Sequence, residues 1–234
     1  MRKLGLIGGM GWVSTRSYYE LINRHIQRKV EPCASAPMVI ESLDFSEIYR
    51  LQSPEDWARA GGVLGAAAKR LEAAGAEMIV IGANSMHKVY REVSEQVSVP
   101  ILHIAECVGE AMAAAGVKKA ALVGTRNVMM ESFYRRRLVA HGVDLLPPDM
   151  VGVEMLDRII YDDLMQGRVT REAERDLRSM FTDMERQGAE AVILANTELG
   201  MVVDVDANVL PIFDCTRIHA ERAAQWIIGE DVPA

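Results

Sequence analysis

GAEMIVIGANSMH, residues 75–87, decides the fold, because a shortened copy returns as GAEAVILANTE at residues 188–198. Each copy opens on small residues, continues as an uninterrupted apolar run and ends in a polar step: Ala83-Asn84-Ser85 in the first, Ala195-Asn196-Thr197 in the second. An apolar run without polar alternation is the mark of a parallel strand buried on both faces. In open α/β sheets ligands bind just beyond the carboxyl ends of such strands, so the two Asn steps are where chemistry is expected.

A second pair of segments repeats at nearly the same offset, KLGLIG at residues 3–8 against KAALVG at 119–124. The asparagines are 196 − 84 = 112 residues apart and the glycines 124 − 8 = 116. Two related α/β halves follow from that agreement. Strands alternate with helices throughout, which predicts two pseudo-symmetric, doubly wound parallel-sheet domains with the active-site cleft between them. The expected division is residues 1–98 plus 213–234 for the first domain and 99–212 for the second.

The 234 residues carry a net charge of −7 and no basic run beyond Arg135-Arg136-Arg137, so nucleic acid is not an expected partner. Half the residues are hydrophobic, yet no apolar run reaches the length of a membrane span. Cys33, Cys107 and Cys215 are widely spaced, with no CxxC and no histidine cluster beside them. That pattern excludes a disulfide framework and a structural zinc site, and it suits a reducing cytoplasm.

Along the chain, the first strand runs into the loop Gly8-Gly9-Met10-Gly11 and a helix opening near Ser14 and Thr15. Glycines at a strand-to-helix turn can present backbone N–H groups to an anion, but the spacing is not the dinucleotide fingerprint G-x-G-x-x-G. Residues 37–43 give a second strand, and Ser53-Pro54-Glu55-Asp56 caps a long alanine-rich helix. A helix is expected over 85–95, short strands at 99–104 and within 141–148, helices over 152–165 and 170–187 broken at Gly167, a last strand over 209–213, and a closing helix over 216–228. His103 reads as a core histidine.

Several long words in order, GLIGGMGWVST, LDFSEI, ANSMHKV, GTRNVMMESFYRRRL, NTELG and PIFDCTRIHAE, make the chain resemble the aspartate/glutamate racemase family, in particular the amino-acid racemases that need no pyridoxal phosphate. The resemblance covers nearly the whole chain. It implies a two-domain α/β fold with pseudo-twofold symmetry, a homodimer, no cofactor and no metal, and a small carboxylate or amino acid as ligand. It also implies two cysteines, one per domain, flanking the substrate α-carbon, because a weak carbon acid must lose its proton on one face and regain one on the other. A thiol suits that task when a polar site brings its pKa toward neutrality. Here Ala83 stands at the first cysteine position and Asn196 at the second.

Remaining candidates to carry a proton are His87 on the first helical turn past Asn84, Glu198 directly after Thr197, and Cys215 at the end of the last strand. Asn84, Ser85, Thr125, Asn196 and Thr197, with Met10, Ser14 and Thr15 in the first loop, are the expected binders of a carboxylate, being mostly short donors at strand ends. Three functions fit these residues: a cofactor-independent enzyme acting at the α-carbon of a small amino acid or dicarboxylate, a lyase or decarboxylase that needs a single acid/base, and a carboxylate-binding relative without turnover.

Overall fold

A computed structural model describes residues 1–204 and 208–230. The chain divides into two compact units, residues 1–104 with 219–234 and residues 105–218. Both divisions lie further along the chain than 98 and 212, because each sheet takes in a fourth strand before the chain leaves it.

In unit 1, β1 (Leu4–Gly8), β2 (Met38–Ser42), β3 (Met78–Ile81) and β4 (Ile101–Leu102) form a parallel sheet in the order β2-β1-β3-β4. The connecting helices are α1 (Trp12–Lys29), α2 (Pro54–Ala73) and α3 (Tyr90–Ser94). Every residue of β1 and β3 is buried, as a central parallel strand requires. Core side chains Ile7, Ile79 and Ile81 from these strands meet Leu64, Ala68 and Leu71 of α2. Ser53 starts α2 with a reciprocal capping box, accepting from the Asp56 N–H at 3.1 Å while the Asp56 carboxylate accepts from the Ser53 N–H at 3.1 Å.

Unit 2 contains α4 (Ile104–Ala114), whose first residue still counts with unit 1, then β5 (Lys119–Gly124), α5 (Arg126–Met130) and α6 (Ser132–Ala140). It continues through β6 (Asp144–Leu145), α7 (Met150–Arg158), α8 (Arg171–Arg186), β7 (Ala191–Ala195), β8 (Ile212–Asp214) and the start of α9 (Cys215–Ile227). Its parallel sheet has the order β6-β5-β7-β8, the arrangement of the first sheet with each strand number raised by four. The repeat read from the sequence is thus a repeat of topology. In each sheet the strand that carries an Asn step, β3 or β7, is an inner one.

Some expected boundaries change. The single helix over 85–95 is a 3-10 turn, Ser85–Val89, followed by α3: the His87 N–H bonds three residues back, to the Asn84 carbonyl at 3.3 Å, in place of a regular i to i−4 ladder. The strand expected at 99–104 shortens to Ile101–Leu102, since Ile104 already opens α4. The last strand is Ile212–Asp214 and not 209–213: residues 208–210 bend, and the ladder begins where the Val192 N–H donates to the Pro211 carbonyl. Gly167 does break the chain between α7 and α8, in a left-handed conformation with φ 74°. Among the described residues no helix is long and apolar enough to cross a membrane.

Candidate functional site

Unit 1 brings two polar segments to the carboxyl ends of β1 and β3. After β1, Gly9 adopts φ 84° and lies so close to the Leu43 backbone that a Cβ would overlap it. The Thr15 hydroxyl accepts from the Gly9 N–H at 2.7 Å and donates to the Gly11 carbonyl at 3.3 Å. Thr15 is therefore a brace for this loop, and the Gly9 N–H already has its acceptor. Ser14 is buried on the first turn of α1, and Met10 packs into the hydrophobic core of the unit.

After β3, Ala83 joins the same core, Asn84 is buried, and Ser85 is half-buried. His87 is buried, and both its ring nitrogens meet backbone. Nε2 accepts from the Ile104 N–H at 3.3 Å, which leaves the proton on Nδ1 to donate to the Ala83 carbonyl at 3.0 Å. That neutral ring ties the turn after β3 to the start of α4. It belongs to a larger buried cluster with His103, at 4.6 Å between ring centroids, and His219, at 5.8 Å. His219 donates from Nε2 to the Leu102 carbonyl at 3.1 Å and accepts from the Tyr18 hydroxyl at 2.8 Å. Burial, with His87 nearby, lowers the His219 pKa to about 3, so its ring is neutral throughout the neutral range.

Unit 2 repeats the pattern at β5, β7 and β8. Thr125 is the N-cap of α5 and buried. Asn196 is 8% exposed, and its carbonyl oxygen accepts from the Leu199 N–H at 3.1 Å, which fixes which end of the amide faces away. The Thr197 hydroxyl donates to a Glu198 carboxylate oxygen at 2.9 Å, and Glu198 is itself buried.

Cys215 is fully buried at the first position of α9, where the Tyr134 hydroxyl donates to its sulfur at 3.2 Å. Burial pushes its thiol far above the ordinary cysteine range, against a smaller lowering by Tyr134. A thiol in that environment stays protonated and is neither a base nor a nucleophile near neutral pH. Of the three proton carriers expected from the sequence, His87 and Cys215 are therefore placed as structural groups. Glu198 remains as the ionisable side chain next to an Asn step.

Tyr18, His219 and Thr216 are not among the site residues the sequence suggests, whereas His87 in the same cluster is. For Thr216 and His219 the sequence signal is the word FDCTRIHAE; Tyr18 and residue 102 meet His219 through the fold alone. Among the described residues no group of three or more His, Cys, Asp or Glu side chains is arranged to hold a metal ion.

The same arrangement of sheets and strand-end loops is found in known proteins. A broad specificity amino-acid racemase of Bacillus subtilis (strain 168), RacX, is 23% identical over 237 residues, covering 97% of this chain and 98% of that protein. The crystal structure of a Yersinia pestis protein proposed to be an Asp/Glu racemase superposes with a TM-score of 0.89 at 38% identity, over 97% of this chain and 100% of that one. An aspartate racemase homologue from Pyrococcus horikoshii OT3 gives 0.84 at 33% identity, over 97% and 100%. The family model for Asp/Glu/Hydantoin racemase matches residues 7–223, from the end of β1 to within α9, and so takes in both Asn steps. With its two four-stranded sheets and their polar strand ends inside that match, this chain belongs to the Asp/Glu/Hydantoin racemase family.

Proposed function

We infer that this chain is a cofactor-independent enzyme that takes a small amino acid or dicarboxylate at its strand-end loops and works at the α-carbon with one acid/base, Glu198, in place of a matched pair. The observation that carries this reading is the occupancy of the two positions where the family resemblance implies cysteines. Ala83 is a core residue and Asn196 a tethered amide, and neither is an acid or a base near neutral pH. Racemisation requires a group on each face of the α-carbon, whereas elimination or decarboxylation can proceed with one. Glu198 is buried beside Asn196 with a hydroxyl donor on it, which holds the carboxylate in a defined orientation. Membership of the family supports an amino-acid or dicarboxylate ligand, and it also supports a homodimer, without pyridoxal phosphate, in the cytoplasm.

A second reading, a carboxylate-binding relative without turnover, is favoured by the fact that His87 and Cys215 are both committed to structural contacts. Proton NMR in heavy water, with L- and D-amino acids and small dicarboxylates, separates the two. The enzyme reading expects a new product or loss of the α-proton signal, at least a hundredfold slower in Glu198→Gln. Interconversion of enantiomers at equal rates in both directions would restore two-sided racemisation and overturn it. Saturable line broadening of a ligand with no chemical change would leave the binding reading in its place.

A further inference from the structure

Three donors stand in one row across the unit 2 sheet. The register aligns Val123 of β5, Leu194 of β7 and Asp214 of β8. Two residues beyond each lie Thr125 and Asn196, just past the ends of β5 and β7, and Thr216, on the first turn of α9 after β8.

Each member of the row has donor capacity that the fold does not use. Thr125 and Thr216 are each 4% exposed, and among the described residues neither hydroxyl oxygen has a hydrogen-bond partner. Burying a hydroxyl with nothing to bond is unfavourable and rare, and two such groups flanking one amide call for a ligand that supplies acceptors. The amide between them is oriented by the Leu199 N–H on its oxygen, so its Nδ2 donors face the other way. Backbone donors nearby are already matched: the Thr216 and Arg217 N–H groups go to one oxygen of Asp214, at 2.9 and 3.2 Å, and the Arg126 N–H goes to Asp157 at 2.9 Å. Asp214 thereby holds the first turn of α9, and Thr216 with it, against β8.

We propose that Thr216 is a ligand-binding residue of unit 2, and that with Thr125 and Asn196 it grips one carboxylate group of the small acid. A carboxylate has two oxygens and four lone-pair directions, which match a hydroxyl on either side and an amide between. This assignment rests on the small-carboxylate reading given above, and it adds a residue outside the two Asn steps.

The test is calorimetric titration of L-aspartate and of malonate into the full chain, in parallel with Thr216→Val and Thr216→Ser. Valine has the shape of threonine without the hydroxyl, so it is expected to weaken both probes at least tenfold while raising the Tm of the ligand-free protein, because an unpartnered buried hydroxyl has gone. Serine keeps the donor and is expected to stay within about threefold of the natural residue. Thr216→Ala covers the case in which valine disturbs the helix start, with the same expected loss of affinity. Binding by the natural chain with equal affinity in Thr216→Val or Thr216→Ala overturns the role of Thr216 and leaves the small-carboxylate reading intact. Failure of either probe, and of the amino acids in the NMR panel, to bind the natural chain overturns that reading and this one together.

Discussion

The side chains nearest the strand ends divide into those that shape the loops and those left to meet a ligand. Gly9 belongs to the first kind: with φ 84° and the Leu43 backbone against it, it has room for no side chain. Gly9→Ala is expected to destabilise unit 1 by more than about 3 kcal/mol, from left-handed strain and backbone overlap together. Urea denaturation would show this as a lower midpoint at unchanged slope. Cys215 is also of the first kind. Cys215→Ala removes the sulfur to which the buried Tyr134 hydroxyl donates and the packing around it, so a loss of about 1–3 kcal/mol is expected while affinity for L-aspartate stays the same. If affinity fell tenfold with the fold intact, the thiol would have to be returned to the ligand site. Reading roles from the sequence alone worked where a residue's neighbours lie close in the chain, as with Ser53 and Asp56. It could not show that His87 bonds to Ile104 or that Tyr134 reaches Cys215, because those partners are 17 and 81 residues away.

Elements were legible to the degree that their signals are local. The all-apolar runs of β1, β3, β5 and β7 are buried nearly throughout, and their polar exits lie where the words ANS and ANT put them. The edge strands β4 and β6 are two residues long, too short for any periodicity to define, and β8 begins only where its ladder with β7 begins. The start of α2 was legible to the residue, because Ser53, Pro54 and Asp56 each satisfy a requirement of a helix N-terminus. Ser53→Ala is expected to lower stability by about 1 kcal/mol, measured as a shift in the urea midpoint, with no effect on ligand affinity. In unit 2, α4 is fastened to α6 by side chains no local pattern could pair: Glu106 binds Arg137 and accepts from His141 at 2.6 Å. Burial raises the Glu106 pKa, but the bonds from His141 and Arg137 outweigh it and leave it lowered. His141 also packs on Gly109, where a Cβ would overlap its ring. Gly109→Ala is therefore expected to separate the two helices and to shift the far-ultraviolet circular dichroism melt to lower temperature.

At the scale of the molecule, the buried histidines set how stability responds to acid. His219 has a folded pKa of about 3 against an ordinary 6.5, so between those values the unfolded chain binds the proton and the native one does not. The contribution of His219 to stability is complete above about pH 6.5 and is lost as the pH drops toward 3, by on the order of 5 kcal/mol in all. His25, lowered mainly by burial, acts in the same direction. Urea midpoints at pH 7.5 and 5.5, a range in which ordinary carboxylates do not titrate, are expected to show the lower value at pH 5.5, and His219→Gln to flatten the difference. A higher midpoint at pH 5.5 would contradict the assignment. The position of His219 has one more consequence. Unit 2 is a single run of chain, residues 105–218, whereas unit 1 needs the part of α9 that follows it. On the ribosome, the unit that starts second is therefore the first to be covalently complete, and the earlier unit must wait for the end of α9. A circular permutant opening at Ala105 would abolish that wait, making each unit contiguous and letting each close as it is made.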